Sequence, residues 1–238
     1  MHHVILERWT HGASPLHLRD ARAKILALLA FLIVLSTTPS SANLRVAAYA
    51  VVVLLAILIA RLPLLSLLTR AAVVLPFSLT FALVCWAGGD NARAVSLVEK
   101  TYLSAIAVLV VAGATPLPAL LKGFESLGTP RVLISVIQFL YRYLFVISEQ
   151  AQHMRLSAAS RSGIRKANRR NRFQAAAGAL GVLFGRSYYR ADGIHRAMLA
   201  RGYNGQLPLA DPGRFRVADA AFAVVAVLAL TALRVLPF

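Results

Sequence analysis

Two arginines that stand between small residues are the side chains whose type and spacing best suit a chemical role. They are the centres of the triplets Ser160-Arg161-Ser162 and Ala200-Arg201-Gly202. A guanidinium presents five donors in a planar fork, and small neighbours leave that fork free to enter a cleft. The C-terminal end of a helix has unpaired carbonyls and partial negative charge, which attract a guanidinium. The residues alone therefore leave two hypotheses open, a docking tip and an ordinary partner of the helix dipole beside anionic lipid.

Other residue types that carry chemistry form no recognisable site. The nine acidic residues include no paired carboxylates, so acid–base catalysis is not predicted and no residue is assigned as catalytic. No GxxxxGK[ST] sequence occurs, which argues against ATP binding by this chain. His2 and His3 could bind a metal, but the histidines lack paired ligand spacing and no metal site is predicted. Gly178, Gly181 and Gly185 instead predict close helix packing.

Composition indicates a membrane protein. Of the 238 residues 58% are hydrophobic and 15% charged, whereas soluble domains carry about 25% charged residues. The net charge of +17 is concentrated in a few blocks, and Val46–Ala60 carries no charge. The basic block Arg165–Arg172 lacks the interleaved aromatics of a nucleic-acid surface. We therefore expect the lipid bilayer, and no nucleic acid, as a partner, with the basic segments on the cytoplasmic side.

The apolar runs predict an all-α, polytopic protein with about five transmembrane helices. A span needs about 20 mostly apolar residues. The candidates lie at about 22–38, 43–61, 66–87, 95–113 and 216–236. The distribution of Lys and Arg places the N-terminus inside and both Gly88–Asn91 and Phe238 outside.

The region between the fourth and fifth spans has a different pattern. Prolines at 116 and 118 break the fourth span, and a short amphipathic helix follows over Ala119–Leu127. Two long helices are predicted at about 130–161 and 173–201, each running from apolar to basic, with Gly202 as a left-handed C′ residue. The predicted organisation is a cytoplasmic segment at 1–24, transmembrane helices at 25–114, cytoplasmic or interfacial helices at 115–215 and a last transmembrane helix at 216–238.

Two stretches carry a resemblance to a known family. Ser14–Lys24, SPLHLRDARAK, is similar to the pre-helix segment SPLHRLDPRxK, with Leu-Arg-Asp-Ala where Arg-Leu-Asp-Pro is common. Arg186–Gly205 contains the intact Ala-Arg-Gly triplet, whereas the earlier triplet has Ser160 in place of alanine. Over nearly its whole length the chain resembles the T component, or energy-coupling transmembrane subunit, of energy-coupling factor (ECF) transporters, in the cobalt/nickel branch called CbiQ or NikQ.

The resemblance implies a non-enzymatic subunit of an importer. In such importers two ATP-binding-cassette ATPase subunits hold ATP and Mg²⁺, a membrane S component binds the substrate, and the T component couples them. It implies that Ser160, Arg161 and Ser162, and likewise Ala200, Arg201 and Gly202, end coupling helices that dock into the ATPases. The chain itself would bind no cofactor.

Location and substrate follow from the same resemblance. It implies a multi-pass protein of the bacterial cytoplasmic (inner) membrane with its N-terminus inside, serving cobalt or nickel uptake. Biotin or another vitamin is the alternative substrate. A membrane-bound enzyme and a basic membrane scaffold are the alternatives from other functional classes.

Overall fold

Every regular element that the computed structural model describes is helical. The described residues are 14–39, 43–162, 168–205 and 217–235. The helices are α1 Ala21–Thr37, α2 Asn43–Ala60, α3 Leu64–Ala71, α4 Leu75–Ala87, α5 Asn91–Gly113, α6 Leu117–Ser126, α7 Arg131–Ser162, α8 Arg169–Ala200 and α9 Val217–Val235. The all-α prediction is confirmed. The predictions for His2, His3, residues 165–167 of the basic block and Phe238 lie outside the described residues.

Local sequence signals explain where several helices begin. Asp20 precedes α1 and its carboxylate accepts a hydrogen bond from the Arg22 amide at 2.9 Å. Asp90 caps α5 in the same way, through the Arg93 amide at 3.3 Å. Such side chains satisfy amides that have no partner within the helix. Pro76 lies in the first turn of α4, where its missing N–H costs no helical hydrogen bond.

The chain divides into two compact units. The first comprises residues 1–128 and 212–238, and the second comprises residues 129–211. The sequence pattern groups α6 with the coupling helices, whereas the structure places it in the first unit. The reason is close packing on α1, because a Cβ added at Gly123 would lie 2.8 Å from Ile25 Cδ1 and 3.3 Å from Ala21 Cβ.

The first unit has a continuous apolar core drawn from α1, α2, α3, α5 and α9. Phe31 and Tyr49 meet edge to face, with ring centroids 6.2 Å apart, a favoured aromatic geometry. The other buried leucines and isoleucines of this core are Leu35, Ile57, Leu62, Leu67, Leu103, Ile106 and Leu230. The outer surface is apolar as well, since Phe77 and Trp86 on α4 are 68% and 64% exposed. An apolar exterior around an apolar core is what a bilayer requires.

Among the described residues, four helical segments are long and apolar enough to cross a membrane. They are Leu64–Ala87, Asn91–Gly113, Arg131–Arg161 and Val217–Arg234, and Leu44–Ala60 is a shorter apolar helix. Three of them coincide, by length and composition, with the predicted spans at 66–87, 95–113 and 216–236, whereas α1, predicted as a span at 22–38, is not among the four. The segment at 131–161 was instead predicted to be cytoplasmic or interfacial, and its length and composition also suit a span. The chain is an all-α, polytopic membrane protein.

The regular structure described in the second unit is two long helices, α7 and α8, of 32 residues each. Phe139–Gln150 of α7 and Ser187–Ile194 of α8 line one shared depression. The early part of α7 thus lies beside the late part of α8. The two helices therefore form an antiparallel hairpin, in which the end of α7 and the end of α8 lie at opposite ends.

Candidate functional site

The first arginine triplet ends α7. Arg161 lies in the last turn of this helix and its side chain is exposed. The Ser160 hydroxyl donates to the Ser157 carbonyl at 3.0 Å, so this serine turns back onto its own helix. Ser162 is the last helical residue. The structure therefore presents Arg161 at a helix end, as the sequence predicts.

The second triplet closes α8 through backbone geometry. Arg201 is the C-cap residue, and Gly202 has a φ of +81°. The Tyr203 amide donates to the Met198 carbonyl and the Gly202 amide to the Leu199 carbonyl, both at 3.0 Å. This pair of hydrogen bonds is a Schellman motif. The prediction of a left-handed residue at position 202 is confirmed.

Because of the Schellman motif, Arg201 is not required as a cap for the end of α8. The backbone already satisfies carbonyls of the last turn, so the guanidinium is not needed to cap them. One turn earlier Arg196 pairs with Asp192 at 2.7 Å. Within the described residues, neither Arg161 nor Arg201 makes a side-chain hydrogen bond or ion pair, and both are exposed. Both forks are therefore available to an external partner.

The two arginines belong to separate surfaces. Arg161 ends the first helix of the hairpin, and Arg201 follows the second helix at the opposite end. At a rise of about 1.5 Å per residue, the 32 residues of α8 place them roughly 47 Å apart along the hairpin axis. A single small socket cannot hold both guanidinium groups.

An open groove of about 780 Å³ runs between α7 and α8. Glu149 and His153 line it, with 3.8 Å between Oε1 and Nε2. The groove is not among the sequence predictions, although its lining residues recur at four-residue intervals typical of one helix face. They include Glu149, His153, Ser157 and Arg161 on α7, and Gly178, Val182, Arg186 and Arg190 on α8.

The glycines of α8 do not make the contacts that the sequence predicts. A Cβ added at Gly178, Gly181 or Gly185 would meet nothing within 4 Å. The predicted close packing of helices through these residues is therefore wrong for the described part of the chain. The physical reason is that α7 and α8 leave the groove open where Gly178 lies.

The pre-helix segment folds against the first unit. Ser14 Oγ and His17 Nδ1 are hydrogen-bonded at 2.6 Å, which gives this histidine a local partner. In the described residues no three His, Cys, Asp or Glu side chains come together in a way that could hold a metal ion. His17, His153 and His195 accordingly remain separate.

The fold and these helix ends define a class, a polytopic all-α membrane protein that carries a hairpin with two exposed arginine tips. Comparison with known proteins identifies the family. The chain matches CbiQ, described as cobalt transport protein, over residues 12–209. The chain therefore belongs to the CbiQ family and is a membrane transport component.

Individual relatives extend the comparison. An uncharacterized protein of Methanocaldococcus jannaschii is 26% identical over 255 aligned residues, covering 98% of this chain and 86% of the relative. The cobalt transport protein CbiQ of Rhodobacter capsulatus is 28% identical over 116 residues, covering 49% of this chain and 47% of that protein. The likeness to the first relative thus spans both units.

Proposed function

We propose that the chain is the energy-coupling transmembrane subunit, or T component, of an ECF-type importer. The observation that carries this proposal is the pair of exposed arginine tips at opposite ends of the α7–α8 hairpin. The proposal is further supported by membership of a transport family and by the apolar helices of the first unit. In this role the chain transmits ATPase motion to a substrate-binding membrane subunit.

The proposed partners of the tips are two ATP-binding-cassette ATPases. Because Arg161 and Arg201 are roughly 47 Å apart along the hairpin, each tip needs its own socket. A planar guanidinium fits carboxylates and helix-end carbonyls in such a socket. ATP and Mg²⁺ would be held by these partners and not by this chain. In this proposal both arginine tips face the cytoplasm, and the N-terminus lies on the cytoplasmic side of a bacterial cytoplasmic membrane.

The proposed substrate is cobalt or nickel, bound by a separate S component. The family description and the name of the Rhodobacter capsulatus relative both refer to cobalt transport. The lack of a three-ligand cluster among the described residues favours an ion site on another subunit. Nickel fits as well, because similar ligand sets bind both ions. Biotin or another vitamin is the alternative.

The experiment is affinity purification of the full chain from its native cells, followed by mass spectrometry of the associated proteins. We expect two ATPase copies and one further membrane subunit. Uptake of labelled Co²⁺, Ni²⁺ and biotin into vesicles carrying this complex, with and without ATP, then identifies the substrate. Suppose that the cells import Co²⁺, Ni²⁺ and biotin through other systems. Recovery of the purified chain without any ATPase from such cells would contradict the proposal.

A further inference from the structure

Lys24 is a buried cation near the start of α1. It is 2% exposed, and its ammonium donates to the Ala114 carbonyl at 3.0 Å and to Thr115 Oγ1 at 3.1 Å. The His17 carbonyl lies at 3.4 Å from the same nitrogen. Burying an ammonium is costly unless its donors are satisfied. Three oxygens supplied by the chain around it meet that requirement.

The choice of acceptors ties Lys24 to one particular connection. Ala114 is the C-cap of α5, where carbonyls lack helical donors and the helix dipole is negative. Thr115 precedes Pro116, the residue before α6 begins. Lys24 therefore fastens the short connection between α5 and α6 to α1.

Two more elements meet α1 at the same turn. Gly123 of α6 packs on Ala21 and Ile25, at the Cβ distances given above. Asp219 of α9 is 5% exposed, and its carboxylate accepts from the Asp20 amide at 3.2 Å. We call this set the α1 junction, formed by Asp20, Ala21, Lys24 and Ile25 with their partners Ala114, Thr115, Gly123 and Asp219.

The α1 junction contacts α6 and α9, the helices of the first unit that precede and follow the second unit in the sequence. The first unit comprises residues 1–128 and 212–238, so α6 ends just before the second unit and α9 is the next described helix after it. Given the function proposed above, we infer that Lys24 is a positioning residue for energy coupling. Because of Lys24, a displacement of α7 and α8 is transmitted to α1. Without Lys24 the same displacement would only stretch the chain between the two units.

A second lysine offers a matched control. Lys100 of α5 donates to the carbonyl of Thr38, the C-cap of α1. Helices α1 and α5 thus each supply a lysine to the C-cap carbonyl of the other. The contact of Lys100 lies at the opposite end of α1 from the α1 junction. Its loss should affect stability and not coupling.

The test compares Lys24→Met, Lys24→Arg and Lys100→Met in the reconstituted complex. The measurement is the substrate imported per ATP hydrolysed, using whichever of Co²⁺, Ni²⁺ or biotin the wild type imports. We expect Lys24→Met to lower this ratio at least fivefold with ATPase association within twofold of wild type. Lys24→Arg should restore most of the ratio, and Lys100→Met should leave it unchanged.

If Lys24→Met fails to fold, Thr115→Val serves as the milder variant, because it removes one acceptor and keeps the other contacts of Lys24. A smaller fall in the same ratio is then expected. An unchanged ratio in the folded Lys24 or Thr115 variant, or an equal fall in Lys100→Met, would overturn the inference. Wild-type complex that lacks ATPase subunits would instead refute the proposed function, so the two failures are distinguishable.

Discussion

The closure of α8 allows one glycine substitution to be predicted with a magnitude. Gly202 has a φ of +81°, and a Cβ added there would meet nothing within 4 Å. The cost of Gly202→Ala therefore comes from the left-handed backbone alone, about 1–2 kcal/mol. That free energy corresponds to a fall of about 5- to 30-fold in the population of the closed helix end. Arg201, the C-cap, should lose its fixed position.

Gly193→Ala is the matched control. Gly193 lies inside α8, also faces open space and has no left-handed φ. Alanine there should stabilise the helix by up to about 1 kcal/mol. Hydrogen exchange at residues 202 and 203 in the full chain should accelerate in Gly202→Ala only, and retention of the ATPases should fall only in that variant. Equal exchange at these amides in both variants would refute this account of the helix end.

Two further predictions follow from single contacts, and a third follows from the proposed topology. Asp20→Ala removes the cap of α1 and should lower the free energy of unfolding by about 0.5–2 kcal/mol, measured by thermal denaturation in detergent. Arg196→Ala breaks an exposed ion pair with Asp192 and should change stability by at most about 0.5 kcal/mol; a larger loss would mean that Arg196 has another role. In a Cys85→Ala background, Asn91→Cys should react with impermeant reagents from outside, and labelling only from the cytoplasmic side would contradict the proposed topology.

Much of the fold could be predicted because the signals are local. Mostly apolar runs locate the helical segments at 66–87 and 95–113, although Arg70 interrupts the first run and Glu99 and Lys100 the second. A helix is favoured there because it satisfies its own backbone in lipid. Gly202 directly after Arg201 predicts the left-handed closure for an equally local reason. The positions of Arg161 and Arg201 at helix ends follow from the predicted ends of the two long helices.

Long-range contacts could not be predicted in the same way. Lys24 is 90 residues from Ala114, and no spacing rule indicates that a basic residue before a span will enter the interior. Gly123 is similar, because its packing on α1 depends on where α6 folds back. The groove between α7 and α8 requires the angle between two helices, which the pattern of either helix does not contain.

The most direct measurement of the central claim uses the two arginines. Arg161→Ala, Arg201→Ala and the double variant should each lose ATPase affinity, by about 2–5 kcal/mol per tip if each fork is buried in its socket. Lysine at either position should restore little, because an ammonium cannot form a planar fork. Arg170→Ala, in the first turn of α8 and outside both triplets, is the control and should behave as wild type.

Co-purification of the ATPases and ATP-driven uptake are measured for this series in the whole complex. The account predicts partial assembly in each single variant, and neither stable assembly nor uptake in the double variant. Wild-type assembly and uptake in the double variant would contradict it, and would show that Arg161 and Arg201 only face lipid or water.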